Sequence, residues 1–316
     1  MKIAIVVIAF NRPDHVKRLF GSLQANESFL DFPLILALDG PRDTADAVLQ
    51  NQMLCELNET IAAHPNLTVS QRPRNLGSKS HITETITSCL AQYEAVIVLE
   101  DDLEVGANFL HYMNGALKKY RDCPEVFHIS GYSLTSGIDT GNSFFVRYMN
   151  CWGWGTWRDR WVKFNDDTRH YVRSFSSDDR RLFNYDNTHD FFRQIEENHY
   201  GILNTWAIFW YATIFEAKGL CLKPACSLVN NHGRDGSGER DGQKLTLSDI
   251  DHLVLNFPPD PIVNESEEKR LSRYFRENKS NLTEFIKSLV YLLPAQTQKP
   301  IMKKLIAVRK FIYSSM

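Results

Sequence analysis

The sequence predicts an α/β protein: a mostly parallel, doubly wound, Rossmann-like sheet with helices on both faces, followed by a helical C-terminal extension. Three observations predict it. Apolar runs of strand length alternate with helix-length segments over the first hundred residues, the pattern of right-handed β-α-β crossovers. The run at 96–99 is continuously apolar rather than alternating, as a parallel strand buried on both faces must be. Each early run also ends in a polar or turn-forming group: Asn11-Arg12-Pro13, Asp39-Gly40-Pro41, Arg72-Pro73-Arg74-Asn75 and Glu100-Asp101-Asp102. In an open α/β sheet such ends form one rim, and ligands bind there.

In order, 3–8, 33–38, 67–71 and 96–99 read as strands, and 13–24, 44–63 and 78–93 as helices. Pro13 suits a first helical turn, where its missing N–H is no loss. Beyond the acids, 106–121 reads as a helix with Phe109, Leu110, Met113 and Leu117 on one face. A strand at 126–129, a late strand at 224–229 and an exposed charged helix at 267–276 follow. This order divides the chain into a first half (1–125), a second half (126–258) with a glycine-rich loop at 230–242, and a charged, basic tail (259–316).

Composition bounds the function. A chain of 316 residues with 43% hydrophobic and 23% charged content is an ordinary globular protein, and its net charge of -2 leaves no cationic excess for a general nucleic-acid binder. The six cysteines contain no C-x-x-C pair, which argues for buried thiols in a reducing compartment over a zinc knuckle. The run at 3–8 ends in Asn11-Arg12-Pro13-Asp14 rather than a small-residue cleavage site, so it is expected to be the first strand and not a signal peptide. Segment 301–313 carries four basic residues, no acids and apolar groups at helical spacing. Such a helix fits an anionic membrane surface, the body of the protein or a second subunit. A cytoplasmic protein touching the inner face of the cell membrane is the expectation.

Glu100, Asp101 and Asp102 carry the chemistry. Adjacent carboxylates repel one another unless a cation sits among them, and hard oxygen ligands suit Mg²⁺ or Mn²⁺, above all when a diphosphate completes the shell. The alternative is an acidic turn at the start of the next helix. No G-x-G-x-x-G follows the first strand, which argues against a dinucleotide-binding dehydrogenase. Arg12 at the rim is suited to a base or a phosphate, and Asp39 either accepts from a base or ribose or makes an ordinary turn. An aromatic-rich middle section suits sugar recognition; most of its rings belong to packing, with Trp152 and Trp154, flanked by glycines, kept as candidates. Four glycines in 233–242 mark a loop able to cover a substrate. In and beside it His232 is a candidate metal ligand, Arg234 and Ser237 candidate phosphate contacts, and Arg240 a further clamp; a plain solvent loop is the alternative.

Glu100-Asp101-Asp102-Leu103-Glu104-Val105-Gly106-Ala107-Asn108-Phe109-Leu110-His111-Tyr112 resembles the acidic motif and following helix of the GT-A glycosyltransferases, and within them of the N-acetylglucosaminyltransferase I group. Ala9-Phe10-Asn11-Arg12, Asp39, Gly153-Trp154, Trp206 and Gly219-Leu220-Cys221-Leu222-Lys223-Pro224 extend the resemblance over roughly residues 2 to 255. It implies that 1–125 is the donor-binding half and 126–258 the acceptor or catalytic half, that Arg12 and Asp39 hold the base of a UDP-sugar, and that Asp101 approaches the ribose. Asp102 would bind Mn²⁺, or Mg²⁺, bridging the diphosphate, with the glycine loop ordering over the donor. One position departs from that pattern: inverting members place an aspartate base after the tryptophan, and here Trp206 is followed by Ala207. Asp190, Glu196 and Asp235 are then the base candidates, unless the enzyme retains configuration or is inactive; a relocated base in an inverting enzyme is the expectation. The implied activity is transfer of GlcNAc or a related hexose to a saccharide or lipid-linked saccharide acceptor in surface polysaccharide assembly. The rivals are a nucleotidyltransferase and a non-catalytic carbohydrate-binding protein.

Overall fold

All seven residues of the first strand, β1 (Ile3–Ala9), are buried, and its alternate side chains enter two separate cores: Ile3, Ile5 and Val7 one, Val6 and Ile8 the other. A strand apolar on both sides must be covered on both sides. The computed structural model, which describes residues 1–135, 141–233, 247–278 and 301, supplies that cover.

After β1 come α1 (Pro13–Gln24), β2 (Leu34–Leu38), α2 (Thr44–Glu56), α3 (Asn58–Ala63), β3 (Leu67–Gln71), α4 (Ser78–Gln92) and β4 (Ala95–Glu100). The acids lead into β5 (Leu103–Val105), α5 (Phe109–Lys119) and β6 (Val126–Ser130). Next are β7 (Ser143–Val146), β8 (Trp154–Trp157), α6 (Arg158–Trp161), α7 (Thr168–Ser174), α8 (Ser177–Phe183) and α9 (Phe192–His199). The described chain closes with α10 (Ala207–Glu216), β9 (Leu220–Pro224), β10 (Val229–Asn231) and α11 (Glu265–Glu277).

Among the described residues the main sheet has eight strands in the order β3-β2-β1-β4-β8-β6-β9-β7. The first four are parallel, β8 is antiparallel to both neighbours, β9 is parallel to β6, and β7 closes the edge antiparallel to β9. Val16, Leu19, Phe20 and Leu23 of α1 and Phe109, Leu110, Met113 and Leu117 of α5 cover one face. Ile82, Ile86 and Leu90 of α4, the buried face of α10, and Leu271 and Phe275 of α11 cover the other. Each fully buried side chain of this size contributes about 1.5–3 kcal/mol, so the sheet fixes where these helices lie.

Two predicted elements differ. The helix expected over 44–63 is broken at Leu57 into α2 and α3. The strand expected at 224–229 is instead a buried bend between β9 and β10: Pro224 ends β9, the Ala225 amide donates to the Asn142 carbonyl, and the Leu228 amide to that of Gly131. Those bonds redirect the chain from the main sheet to a second ribbon, in which β10 pairs antiparallel with β5. Of the tail, the charged helix is present as α11; the basic segment 301–313 lies outside the described residues except for residue 301. No helix among the described residues is long and apolar enough to cross a membrane.

Candidate functional site

β4 lies between β1 and β8, so its carboxyl end, Glu100, sits at the middle of the rim. The pairing of Ile8 with Glu100 brings the segment after β1 over the acids. The Phe10 amide donates to Asp101 Oδ2 at 3.4 Å. Arg12 occupies the position just before α1 and caps nothing with its side chain. Its guanidinium instead makes an ion pair with Asp101 and reaches Asp102 Oδ2 at 3.4 Å.

The electrostatics follow from burial. Asp101 is buried, which pushes its carboxyl up to about 6 against the pull of Arg12, with the Asp102 charge adding to the rise. Burial works against the Arg12 charge too, but Asp101, Asp102 and Glu100 together hold the guanidinium above its ordinary range. A cation therefore does sit among these carboxylates, and in this state it is Arg12.

The β5–β10 ribbon brings Asn231, His232 and Gly233, just ahead of the glycine-rich segment, onto the same carboxylate. Asn231 Nδ2 donates to Asp102 Oδ1 at 3.1 Å, and the His232 amide to the Asp102 carbonyl at 2.7 Å. The His232 ring donates through Nε2 to Glu104 Oε2 at 2.8 Å. Asn231 Oδ1 accepts from the Gly233 amide at 3.0 Å. A β-carbon at Gly233 would lie 2.2 Å from Asp102 Oδ2, so any other residue there would displace the chain or the carboxylate. Asn231 and Glu104 were not among the residues singled out from sequence. The signal available for Glu104 was alternation: Asp102 and Glu104 flank Leu103, which points into the core.

Several expected residues lie elsewhere or have other partners. Asp39 does not stand open at the rim. Its Oδ1 accepts from the Gly40 and Leu76 amides and its Oδ2 from Asn75 Nδ2 and the Gly77 amide, all at 2.9–3.0 Å. With four donors on two oxygens, it ties the loop after β2 to the loop after β3. Trp154 is a correction: expected against the donor, it is fully buried in β8, pairing with Val98 and Ser130. Its ring stacks on His128 at 5.1 Å and on Trp206 at 5.4 Å. The positive φ of Gly153 makes the turn that the glycines announced, but the turn sends the indole inward. Trp152 stays half-buried, edge-on to Tyr132 at 4.5 Å.

The base candidates lie against the other core. Asp190 pairs with Arg193 at 2.7 Å and accepts from Asn184. Glu196 on α9 pairs with Arg180 at 3.4 Å, and burial raises its carboxyl above the ordinary range. No hydrogen bond among the described residues joins either to the Arg12–Asp102 group. α9 packs on α10, and Ala207, the first residue of α10, has no proton-accepting group. Arg234, Asp235, Ser237 and Arg240 lie outside the described residues.

No group of three or more His, Cys, Asp or Glu side chains able to hold a metal occurs among the described residues. Asp102, with His232 joined to it through the backbone, can supply one or two ligands. That is the number a hard divalent ion takes from protein when phosphate oxygens and water complete its shell, so the donor set fits such an ion only together with a diphosphate.

No family model matches the sequence, and no curated protein matches it. Among solved structures it is similar to S. aureus TarS 1-349 at 11% identity and a TM-score of 0.44, over 74% of this chain and 61% of that one. It is similar to GalNAc-T7, solved with UDP, GalNAc and Mn²⁺, at 12% identity and a TM-score of 0.46, over 73% of this chain and 44% of that one. It is also similar to the mannosyltransferase PcManGT from Pyrobaculum calidifontis, solved with GDP-Man and Mn²⁺, at 12% identity and a TM-score of 0.42, over 68% and 74%. The chain thus spans less than two thirds of the length of TarS 1-349 and of GalNAc-T7. The geometry of the rim carries the functional reading.

Proposed function

We propose that this chain is a metal-dependent glycosyltransferase of the GT-A type. It moves GlcNAc or a related hexose from a UDP-sugar to a saccharide acceptor, free or lipid-linked, in the assembly of a surface polysaccharide. The observation that carries the reading is the convergence on Asp102: the end of β4, Arg12 after β1, and Asn231 and Gly233 at and just after the end of β10. An acidic turn that merely begins a helix would need none of these partners.

In this reading Asp102, with His232 beside it, holds Mn²⁺ or Mg²⁺. When bound, the ion neutralises the charge that develops on the departing diphosphate. Arg12 pairs with the anionic donor, and Asp101, against which its guanidinium lies, accepts from the ribose. Glu196, partly buried and with a raised affinity for its proton, serves as base better than Asp190, whose carboxylate is taken up at closer range by Arg193. The Trp152–Tyr132 pair offers an aromatic face to a sugar ring, and the basic segment 301–313 meets an anionic membrane surface.

The test is a thermal-shift panel of UDP- and GDP-sugars with Mn²⁺, repeated on Asp102→Ala. Stabilisation by a UDP-sugar that needs the metal and is lost in the variant supports the reading. A wild-type protein that no nucleotide sugar shifts, with or without Mn²⁺, removes it.

A further inference from the structure

Two side chains that a metal-diphosphate site does not require on chemical grounds are built into the ribbon beside Asp102. Asn231 uses both ends of its amide: Nδ2 donates to Asp102 Oδ1 at 3.1 Å, and Oδ1 accepts from the Gly233 amide at 3.0 Å. Glu104 accepts from His232 Nε2 at 2.8 Å. The antiparallel register sets Asn230 opposite Glu104 and Asn231 opposite Leu103, so His232 comes opposite Asp102, where its amide bonds the Asp102 carbonyl at 2.7 Å.

We propose that Asn231 and Glu104 are positioning residues for a two-ligand half-site made of Asp102 and His232, which a nucleoside diphosphate completes around a divalent cation. The proposal rests on the glycosyltransferase reading above and adds to it which residues aim the ligands.

A carboxylate free to rotate offers a cation many poses; here Arg12 engages Oδ2 and Asn231 engages Oδ1. Were Oδ2 to leave Arg12 for a cation, the Asn231 bond to Oδ1 would still fix the plane of the group. A neutral imidazole binds metal through whichever nitrogen lacks the proton, and a carboxylate can only accept. Glu104 therefore keeps the proton on Nε2 and leaves Nδ1 bare for the ion. Carboxylate–histidine pairs behind a metal work in this way, and their loss costs roughly 10–100-fold in metal affinity. The ribbon also joins the two ligands mechanically: Asp102 precedes β5 and His232 follows β10, so neither can shift without breaking the pairing.

The test measures Mn²⁺ affinity directly, by the paramagnetic resonance signal of free Mn²⁺ titrated with full-length protein and UDP. Melting temperature and UDP binding without metal are the controls. Glu104→Ala and Asn231→Ala should each weaken Mn²⁺ binding by roughly 10-fold or more while leaving metal-free UDP binding unchanged. Glu104→Gln, which keeps an acceptor for Nε2–H, should recover most of the loss. Should Glu104→Ala fail to fold, Glu104→Asp, which draws the acceptor back by one methylene, takes its place with the same expectation. Mn²⁺ affinity within twofold of the wild type in folded alanine variants overturns the positioning role and leaves the glycosyltransferase reading standing. Wild-type protein that binds no Mn²⁺ with UDP present overturns both.

Discussion

The guanidinium of Arg12 lies against both Asp101 and Asp102, within 3.4 Å of the Asp102 oxygen that a β-carbon at Gly233 would strike. One oxygen is thus approached from two sides, by a cation from the segment after β1 and by the backbone at the glycine loop's entrance. This crowding makes Asp102 the point where donor, metal and loop would meet, and it supplies the sharpest mutational expectation.

Gly233→Ala places a methyl group 2.2 Å from Asp102 Oδ2, well inside contact distance. Either the loop entrance or the carboxylate must shift, because the atom struck belongs to a short side chain held by Arg12 and Asn231. We expect a loss of at least 10-fold in UDP affinity in the presence of Mn²⁺, an effect of the size of a lost orienting group, with a melting temperature near that of the wild type. Calorimetric titration checks it; unchanged affinity would show that the entrance has room to move.

Asp39→Ala should act on stability first. It leaves the Gly40, Leu76 and Gly77 amides and Asn75 without their shared acceptor. Unmet donors cost about 1–3 kcal/mol each where water cannot replace the partner. A melting temperature several degrees lower is expected, with Asp39→Asn falling between the variant and the wild type. A wild-type melting curve for Asp39→Ala would mean that the two loops hold themselves.

Lys223 gives a pH signature. Its amine is buried in β9 without a hydrogen-bond partner among the described residues, 4.6 Å over the Tyr148 ring, and burial pulls it from 10.5 down to about 8. Because the folded value lies below the unfolded one, its contribution is fully present above pH 10.5 and is lost as pH falls to about 8. Stability therefore rises with pH across that window, by roughly 3 kcal/mol for a change of this size. Lys223→Met should be the more stable protein at pH 7 and should lack the rise, as denaturant unfolding at pH 7, 8, 9 and 10 would reveal. Parallel profiles for the two proteins would contradict it.

Glu196→Gln separates binding from chemistry. If Glu196 takes the acceptor proton, turnover with a competent donor and acceptor falls by 10²-fold or more while UDP affinity with Mn²⁺ stays put. Equal turnover in the variant moves the role of base away from Glu196.

The parallel half of the fold was legible because its signals are local. Strand-length apolar runs and helical spacing gave β1 to β4, with α1 and β3 expected at their observed bounds. The antiparallel strands were not legible. β8 is four residues, Trp154 to Trp157, all buried, and its first residue looks from sequence, together with Trp152, like a glycine-flanked recognition turn. β10 is three residues whose partner, β5, stands more than a hundred positions earlier.

The site divides in the same way. Asp101 and Asp102 are consecutive at the end of an obvious strand, and Arg12 ends another. The true partners of Asp39 lie about 36 residues on, at Asn75 to Gly77, and no spacing rule joins them. Lys223 carried a signal that could have been read: it is the one charged residue in the strand Leu220–Pro224, and a buried strand rarely keeps an unpaired cation without consequence.

The most direct measurement is anomalous diffraction at the manganese edge from crystals soaked with MnCl₂ and UDP. The account requires a peak within coordination distance of an Asp102 carboxylate oxygen, with the diphosphate on its far side and Arg12 drawn off Oδ2. A well-ordered crystal with no manganese and no UDP at the end of β4, Arg12 still spanning Asp101 and Asp102, would contradict it.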